Sequence, residues 1–221
     1  MHIIGILGSP KGKNSLTLKL LERALNGAED AGAEVELIDV ARKNIRTCKS
    51  CGICYATGKC SQKDDFQAVY EKVIEADGIV FASPVYFNNV SSQLKLFIDR
   101  TGDAKHCMMF LGKYAMSVAT TASSGVNDTI GYMNKYLTNN GAYVIGGVGV
   151  SMPNIPGRLE DGAKEAYELG RDLADAIKTT RQFPDQKVAH DEFIKNFKMV
   201  VKYNKDAWKH EYEYYVKKGW L

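Results

Sequence analysis

The chain reads as an α/β fold: a three-layer sandwich built on a five-stranded parallel sheet with helices on both faces. Three observations carry that expectation. Strand and helix patterns alternate five times along the chain, which implies parallel strands joined by crossover helices. The strand segments are short, continuous apolar runs rich in β-branched residues, as strands covered on both faces require. The intervening segments repeat their apolar residues at helical spacing. Five strands favour the order 2-1-3-4-5 over the six-stranded dinucleotide-binding arrangement.

The elements follow in order. His2 to Leu7 is the first strand, ending at Gly8-Ser9-Pro10. A helix carries Leu16, Leu20, Leu21, Ala24 and Leu25 on one face and breaks at Gly32. Ala33 to Val40 is the second strand, and a cysteine-rich loop from about Lys43 to Asp64 interrupts the next crossover. Asp64 and Asp65 are expected to cap a helix that turns Phe66, Val69, Tyr70 and Val73 inward. Gly78 to Ser83 is the third strand, followed by a helix from Ser91 to Arg100 with Leu94, Phe97 and Ile98 buried. Lys113 to Ala119, a helix from Val126 to Leu137, and Tyr143 to Val150 supply strand four, its crossover and strand five. A helix from about Leu159 to Thr179 closes the series. From Phe183-Pro184 onward there is no strand pattern, only lysines, acids and aromatics. The expected division is a ligand-binding α/β domain over residues 1–182 and a helical, aromatic extension over 183–221.

At 221 residues the chain is long enough for one such domain with an appendage. A formal charge of +3, with basic residues interspersed among acidic ones, gives no reason to expect a nucleic-acid surface. No apolar run approaches the ~18 residues of a membrane span, and the N-terminus lacks the pattern of a signal peptide. A reducing cytoplasm is the expected compartment.

Four of the five cysteines fall in CKSCGICYATGKC: Cys48, Cys51, Cys54 and Cys60, spaced C-x2-C-x2-C-x5-C. Three thiols at three-residue steps are the pattern that bacterial ferredoxins use to bind a [4Fe-4S] cluster, and Cys60 is near enough to be the fourth ligand. Zinc is the rival, although structural zinc sites usually draw on two separated pairs and no second pair exists here. A loop without metal is the third alternative. Cys107, in the apolar run HCMMF, reads as a small buried hydrophobe.

Ligands of such sheets bind beyond the carboxyl ends of the strands, so the loops after strands one, three and four are informative. The first, GSPKGKNSLT, leads into a helix N-terminus, which offers free N–H groups and partial positive charge to a phosphate. Hydroxyls of Ser9, Ser15 and Thr17 and the Asn14 amide complete a candidate cradle. The loop fits neither the nucleotide P-loop nor the G-x-G-x-x-G pattern, so a single phosphate monoester, as in FMN, suits it best. The second, from Ser83 to Asn89, places Pro84, Val85, Tyr86, Phe87 and Asn88 where a flat heteroaromatic ring would lie. The third, from Thr120 to Gly125, is small and polar, suited to a ring edge.

GSPKGKNSLT, the cysteine motif, the DD pair after it, SPVYF and SSQLKLFIDRTG together make the chain resemble the iron–sulfur flavoproteins of the NADPH-dependent FMN reductase superfamily, whose fold is flavodoxin-like. The resemblance spans about Met1 to Gly149, and the terminal EYEYYVKKGWL is similar to the family's tail. It implies that Ser9, Lys11, Asn14, Ser15 and the helix start at Leu16 hold the FMN phosphate. Pro84 to Asn88 would lie along the isoalloxazine, with Thr121, Ser123 and Gly125 near its rim. Cys48, Cys51, Cys54 and Cys60 would ligate a [4Fe-4S] cluster. It further implies a homodimer or homotetramer, with electrons relayed between a one-electron donor such as a ferredoxin and an acceptor. The alternatives are a cluster-free NAD(P)H-dependent FMN or quinone reductase, which would take NAD(P)H as substrate, and a flavodoxin-like carrier.

No acid or base stands out as catalytic. His2, His106, His190 and His210 are scattered and read as structural or solvated. Flavin hydride transfer needs no protein base. In the tail, Trp208, Tyr212 and Tyr215 share one helical face and are expected to pack on a neighbouring subunit.

Overall fold

Strand β1 (His2–Leu7) is buried along nearly its whole length and sits near the middle of a five-stranded parallel sheet. In the computed structural model, which describes residues 1–221, the order is β2-β1-β3-β4-β5. The other strands are β2 (Glu34–Asp39), β3 (Gly78–Pro84), β4 (Tyr114–Thr121) and β5 (Tyr143–Ser151). Alternate residues of the central strands feed two cores. Ile79 and Phe81 of β3 join Ile4 and Ile6 on one face, while Val80 and Ala82 join Ile3 and Leu7 on the other.

Helices α1 (Leu16–Asp30) and α7 (Arg158–Lys178) cover the second face. They meet backbone to backbone: a Cβ at Gly27 would lie 2.0 Å from the Tyr167 carbonyl oxygen, and one at Gly170 would lie 1.9 Å from that of Ala24. The first face is covered by α3 (Phe66–Glu75), α4 (Ser92–Asp99) and α6 (Val126–Asn139). The cysteine segment contains one short helix, α2 (Ile53–Thr57), and α5 (Gly102–His106) follows α4. No helix is long and apolar enough to cross a membrane.

One detail departs from the sequence expectation. Asp65 occupies the position before α3 without capping it; its carboxylate accepts from the Asn44 N–H at 2.7 Å. Asp64 accepts from the Phe66 N–H at 3.2 Å but is turned mainly toward Arg100. The tail folds as α8 (Pro184–Tyr203) and α9 (Lys209–Lys217). Trp208 and Tyr215 of its aromatic stripe pack on their own chain, while Met199, Tyr203 and Val216 of the tail stay exposed. Tyr215 is fully buried and donates its hydroxyl to the His106 carbonyl at 2.9 Å. Trp208 stacks on His106 with centroids 5.1 Å apart and lies 5.2 Å from Tyr55. Buried Glu211 accepts from His106 Nδ1 at 3.0 Å. The stripe is a helical face as expected, but its partners lie roughly a hundred or more residues upstream, which no local pattern reveals.

Candidate functional site

The first site is a cavity of about 310 Å³ at the carboxyl ends of β1, β3 and β4, within the range of small-molecule pockets. Its floor is the start of α1. Ser9, Ser15 and Thr17 are each almost completely buried there. Ser15 caps α1 by accepting from the Leu18 N–H at 3.1 Å, and its own hydroxyl hydrogen remains free to donate. Thr17 and Thr120 join their hydroxyls at 2.6 Å, which ties the first loop to the end of β4. Lys11 and Leu16 complete this wall, and no aspartate or glutamate lines the cavity. An anion at this helix N-terminus therefore meets N–H groups, hydroxyls and an ammonium, with no like charge against it.

Pro84, Val85 and Tyr86 form the second wall, Thr121 and Ala122 the third. Sequence reasoning missed Pro153 and Asn154, which also line the cavity. They follow β5, whose end lies on the same sheet edge, so the strand-end rule applied to the fifth loop would have found them. Asn14, Phe87, Asn88, Ser123 and Gly125 stand outside the lining. Asn14 lies on a 3-10 turn (Gly12–Asn14) and is exposed. Phe87 is fully exposed, in the left-handed region at φ 49°. Asn88 instead presses on Gly125, where a Cβ would come within 2.2 Å of its Oδ1. Gly125, at φ 84°, thus lets the second and third loops touch.

The second site is a cavity of about 240 Å³ lined by all four cysteines of the motif, with Lys49 and Arg100. Ser50 and Gly52 both take left-handed backbone, at φ 51° and 71°. Cys48 Sγ accepts from the Ser50 N–H at 3.4 Å, and Cys51 Sγ lies 3.7 Å from the Ser61 hydroxyl. Bonds from the Ile53 N–H and the Ser61 hydroxyl lower the Cys51 pKa. Burial, reinforced by the negative charge of Asp103, pushes Cys54 up to about 12. Cys54 is therefore a thiol at neutral pH unless a metal supplies compensating charge. No three cysteine, histidine or carboxylate groups come close enough to share one metal ion.

Arg100 organises the cavity and was not singled out from sequence. Its side chain is 1% exposed and that of Asp64 is 0% exposed. Its guanidinium donates to Asp64 at 2.8 and 3.1 Å, to the Arg46 carbonyl at 3.0 Å and to Cys60 Sγ at 3.1 Å. It also lies over the Phe66 ring, 4.4 Å from the centroid. Burial alone would raise the Asp64 pKa. The Arg100 bond and the N–H groups of Arg46 and Phe66 outweigh it and hold the carboxyl well below its usual range. A sequence signal existed: Arg100 falls three residues after buried Phe97, a charge on an otherwise apolar face.

Helix α4 connects the two sites. At its start, the Ser91 hydroxyl donates to the Gly8 carbonyl and the Ser91 N–H donates to Ser83 Oγ at 2.9 Å. At its end, Asp99 and Arg100 wall the cysteine cavity. Eight residues at the helical rise span about 12 Å.

A parallel sheet of this order, with a phosphate-suited helix start and aromatic loops at its carboxyl edge, defines the class: a flavodoxin-like flavoprotein. Comparison with known proteins gives the family. The chain belongs to the NADPH-dependent FMN reductase family, whose model matches residues 1–157, and within it to the iron–sulfur flavoproteins. An iron–sulfur flavoprotein of Archaeoglobus fulgidus is 36% identical over 100% of both chains. Another, from Methanocaldococcus jannaschii, is 34% identical over 82% of this chain and 100% of that one. Among solved structures, an NAD(P)H:quinone oxidoreductase from Methanothermobacter marburgensis shares the fold at TM-score 0.62 and 18% identity, covering 78% of this chain and 96% of that one. The protein is an FMN-dependent oxidoreductase.

Proposed function

We propose that this oxidoreductase relays electrons between a one-electron donor of the ferredoxin class and an acceptor, through FMN in the carboxyl-edge cavity and a [4Fe-4S] cluster held by Cys48, Cys51, Cys54 and Cys60. The observation that carries the cluster assignment is the cysteine cavity itself. Four thiols line one space, and a buried arginine donates to one sulfur. Structural zinc sites usually draw on two separated cysteine pairs, and here the four thiols fall in one compact run, which favours a cluster. A zinc–sulfur bond of ~2.3 Å draws four sulfurs close around one ion, whereas a cube takes one thiolate at each of four separate irons.

FMN, when bound, supplies exchange of one or two electrons with its partners. The chain's residues do the positioning. Ser9, Ser15 and Thr17, with Lys11 and the α1 N-terminus, hold the phosphate. Pro84, Val85 and Tyr86 support the ring, while Thr121 and Ala122 face its edge. NAD(P)H is the further candidate donor, and homo-oligomers are the expected assembly. Iron, acid-labile sulfide and flavin analysis of anaerobically purified protein tests the assignment. About four irons and four sulfides per flavin are expected. A flavin-loaded protein with no iron, or with one zinc per chain, would sink the relay.

A further inference from the structure

Of the four motif sulfurs, Cys60 is the one that accepts from a charged group. The Cys48 sulfur accepts from a backbone N–H, and that of Cys51 meets a serine hydroxyl. Cys60 Sγ instead receives Arg100 Nη2 at 3.1 Å. The Cys60 N–H donates to Gln67 Oε1 at 3.1 Å. Backbone and side chain of the last motif cysteine are thus both held in place.

Arg100 does more than neutralise Asp64. That carboxylate already accepts from the N–H groups of Arg46 and Phe66, at 3.0 and 3.2 Å, and pairs with the Arg46 guanidinium at 3.4 Å. Arg100 adds a fork. Its Nη1 bridges Asp64 and the Arg46 carbonyl, and its Nη2 bridges Asp64 and the sulfur. A planar guanidinium suits such double bridging, and a lysine ammonium does not. The side chain is 1% exposed, and a buried charge acts more strongly than one in water. The sulfur touches the guanidinium and has no bond to Asp64, so the positive end of the pair is the nearer one.

We propose that Arg100 is a positioning residue for electron entry: it fixes Cys60 as a ligand and, by donating to that sulfur, favours the reduced cluster. The inference rests on the cluster assignment made above. Reduction adds one electron from the ferredoxin-class donor, with no bond formed or broken, so cluster and ligands together gain one negative charge. A charged donor on a ligand sulfur stabilises that added charge and raises the potential.

Anaerobic redox titration of the holoprotein, followed by electron paramagnetic resonance of the reduced cluster, tests it. Removing Arg100 alone strands Asp64, so the paired variant Arg100→Met/Asp64→Asn removes both charges. Its equilibrium constant for cluster reduction should fall about tenfold or more, a midpoint about 59 mV more negative for one electron. Arg100→Lys keeps a charge beside Asp64 but loses the fork, and should shift the midpoint the same way by less. The FMN midpoint should stay at the parent value, because Arg100 does not line the flavin cavity. Iron lost from both variants with flavin retained would support the fixing of Cys60. An unmoved cluster midpoint in iron-replete variants would overturn the role of Arg100 and leave the cluster assignment standing. So would a cluster midpoint that moves only together with that of FMN. A parent protein without iron would sink the cluster assignment itself, and this inference with it.

Discussion

At the residue scale, two buried charges decide behaviour that surface charges do not. Asp103 is almost fully buried, with the Tyr70 hydroxyl donating at 3.2 Å. Burial pushes its pKa from 3.8 up to about 6 despite that bond. Between those values the native state holds a proton that the unfolded chain has released, so stability falls as pH rises through the window and levels off above it. Two units correspond to roughly 3 kcal/mol. Asp103→Asn should therefore gain stability relative to the parent between pH 4 and pH 7, read from urea midpoints at each pH. A constant difference across that range would show that Asp103 keeps an ordinary pKa. Arg100 is the converse case, since removing it strands Asp64 in the interior. Arg100→Met should cost about 3–5 kcal/mol in urea unfolding, the range for breaking a buried pair. A loss below about 1 kcal/mol would mean that water reaches the Asp64 carboxylate.

At the scale of elements, α1 and α7 approach so closely that glycine is obligatory. Gly170→Ala gains up to about 1 kcal/mol of helix propensity. The added methyl would stand 1.9 Å from the Ala24 carbonyl, however, and backbone cannot swing aside as a side-chain tip does. Overpacking, at about 1–3 kcal/mol or more, wins, so a lowered midpoint is expected and a raised one would contradict the packing. Helix α9 acts on the cysteine segment: α2 lies against it, and Gly58 is so close to the His210 ring that a Cβ would meet it at 2.5 Å. Ending the chain at Tyr203 should speed modification of the metal-free cysteines by a thiol reagent severalfold, while equal rates would free α9 of that role. These elements also show what the sequence made legible. Strands β1, β3 and β4 are apolar on both faces, so their runs were readable without partners. The cysteine spacing and the loop after β1 were readable because their chemistry is local. The destinations of Trp208 and Arg100 were not, since each is fixed by groups far away in sequence, His106 and Tyr55 for one, Asp64 and Cys60 for the other.

At the scale of the molecule, a subunit contact has two candidate surfaces. Trp208 and Tyr215 pack within the chain, but Met199, Tyr203 and Val216 of the tail stay exposed. The mouth of the flavin cavity is the other candidate. Phe87 projects there fully exposed, and Tyr86, Met152 and Ile155 are each more than a third exposed on the loops after β3 and β5. Phe87 also holds left-handed backbone, which costs a non-glycine residue roughly 1 kcal/mol or more and persists where something gains from it. A neighbouring copy covering Phe87 would supply that gain, as aromatic anchors do at interface centres. Such a contact would also close the open side of the flavin cavity with a second chain, so assembly and flavin retention should fall together. Phe87→Asp should lower the mass found by light scattering and weaken FMN binding, with the helical circular dichroism unchanged. Phe87→Gly relieves the backbone strain without adding charge. It should also lower the mass if the ring is the anchor, and an assembly that survives both substitutions would place the interface away from the flavin.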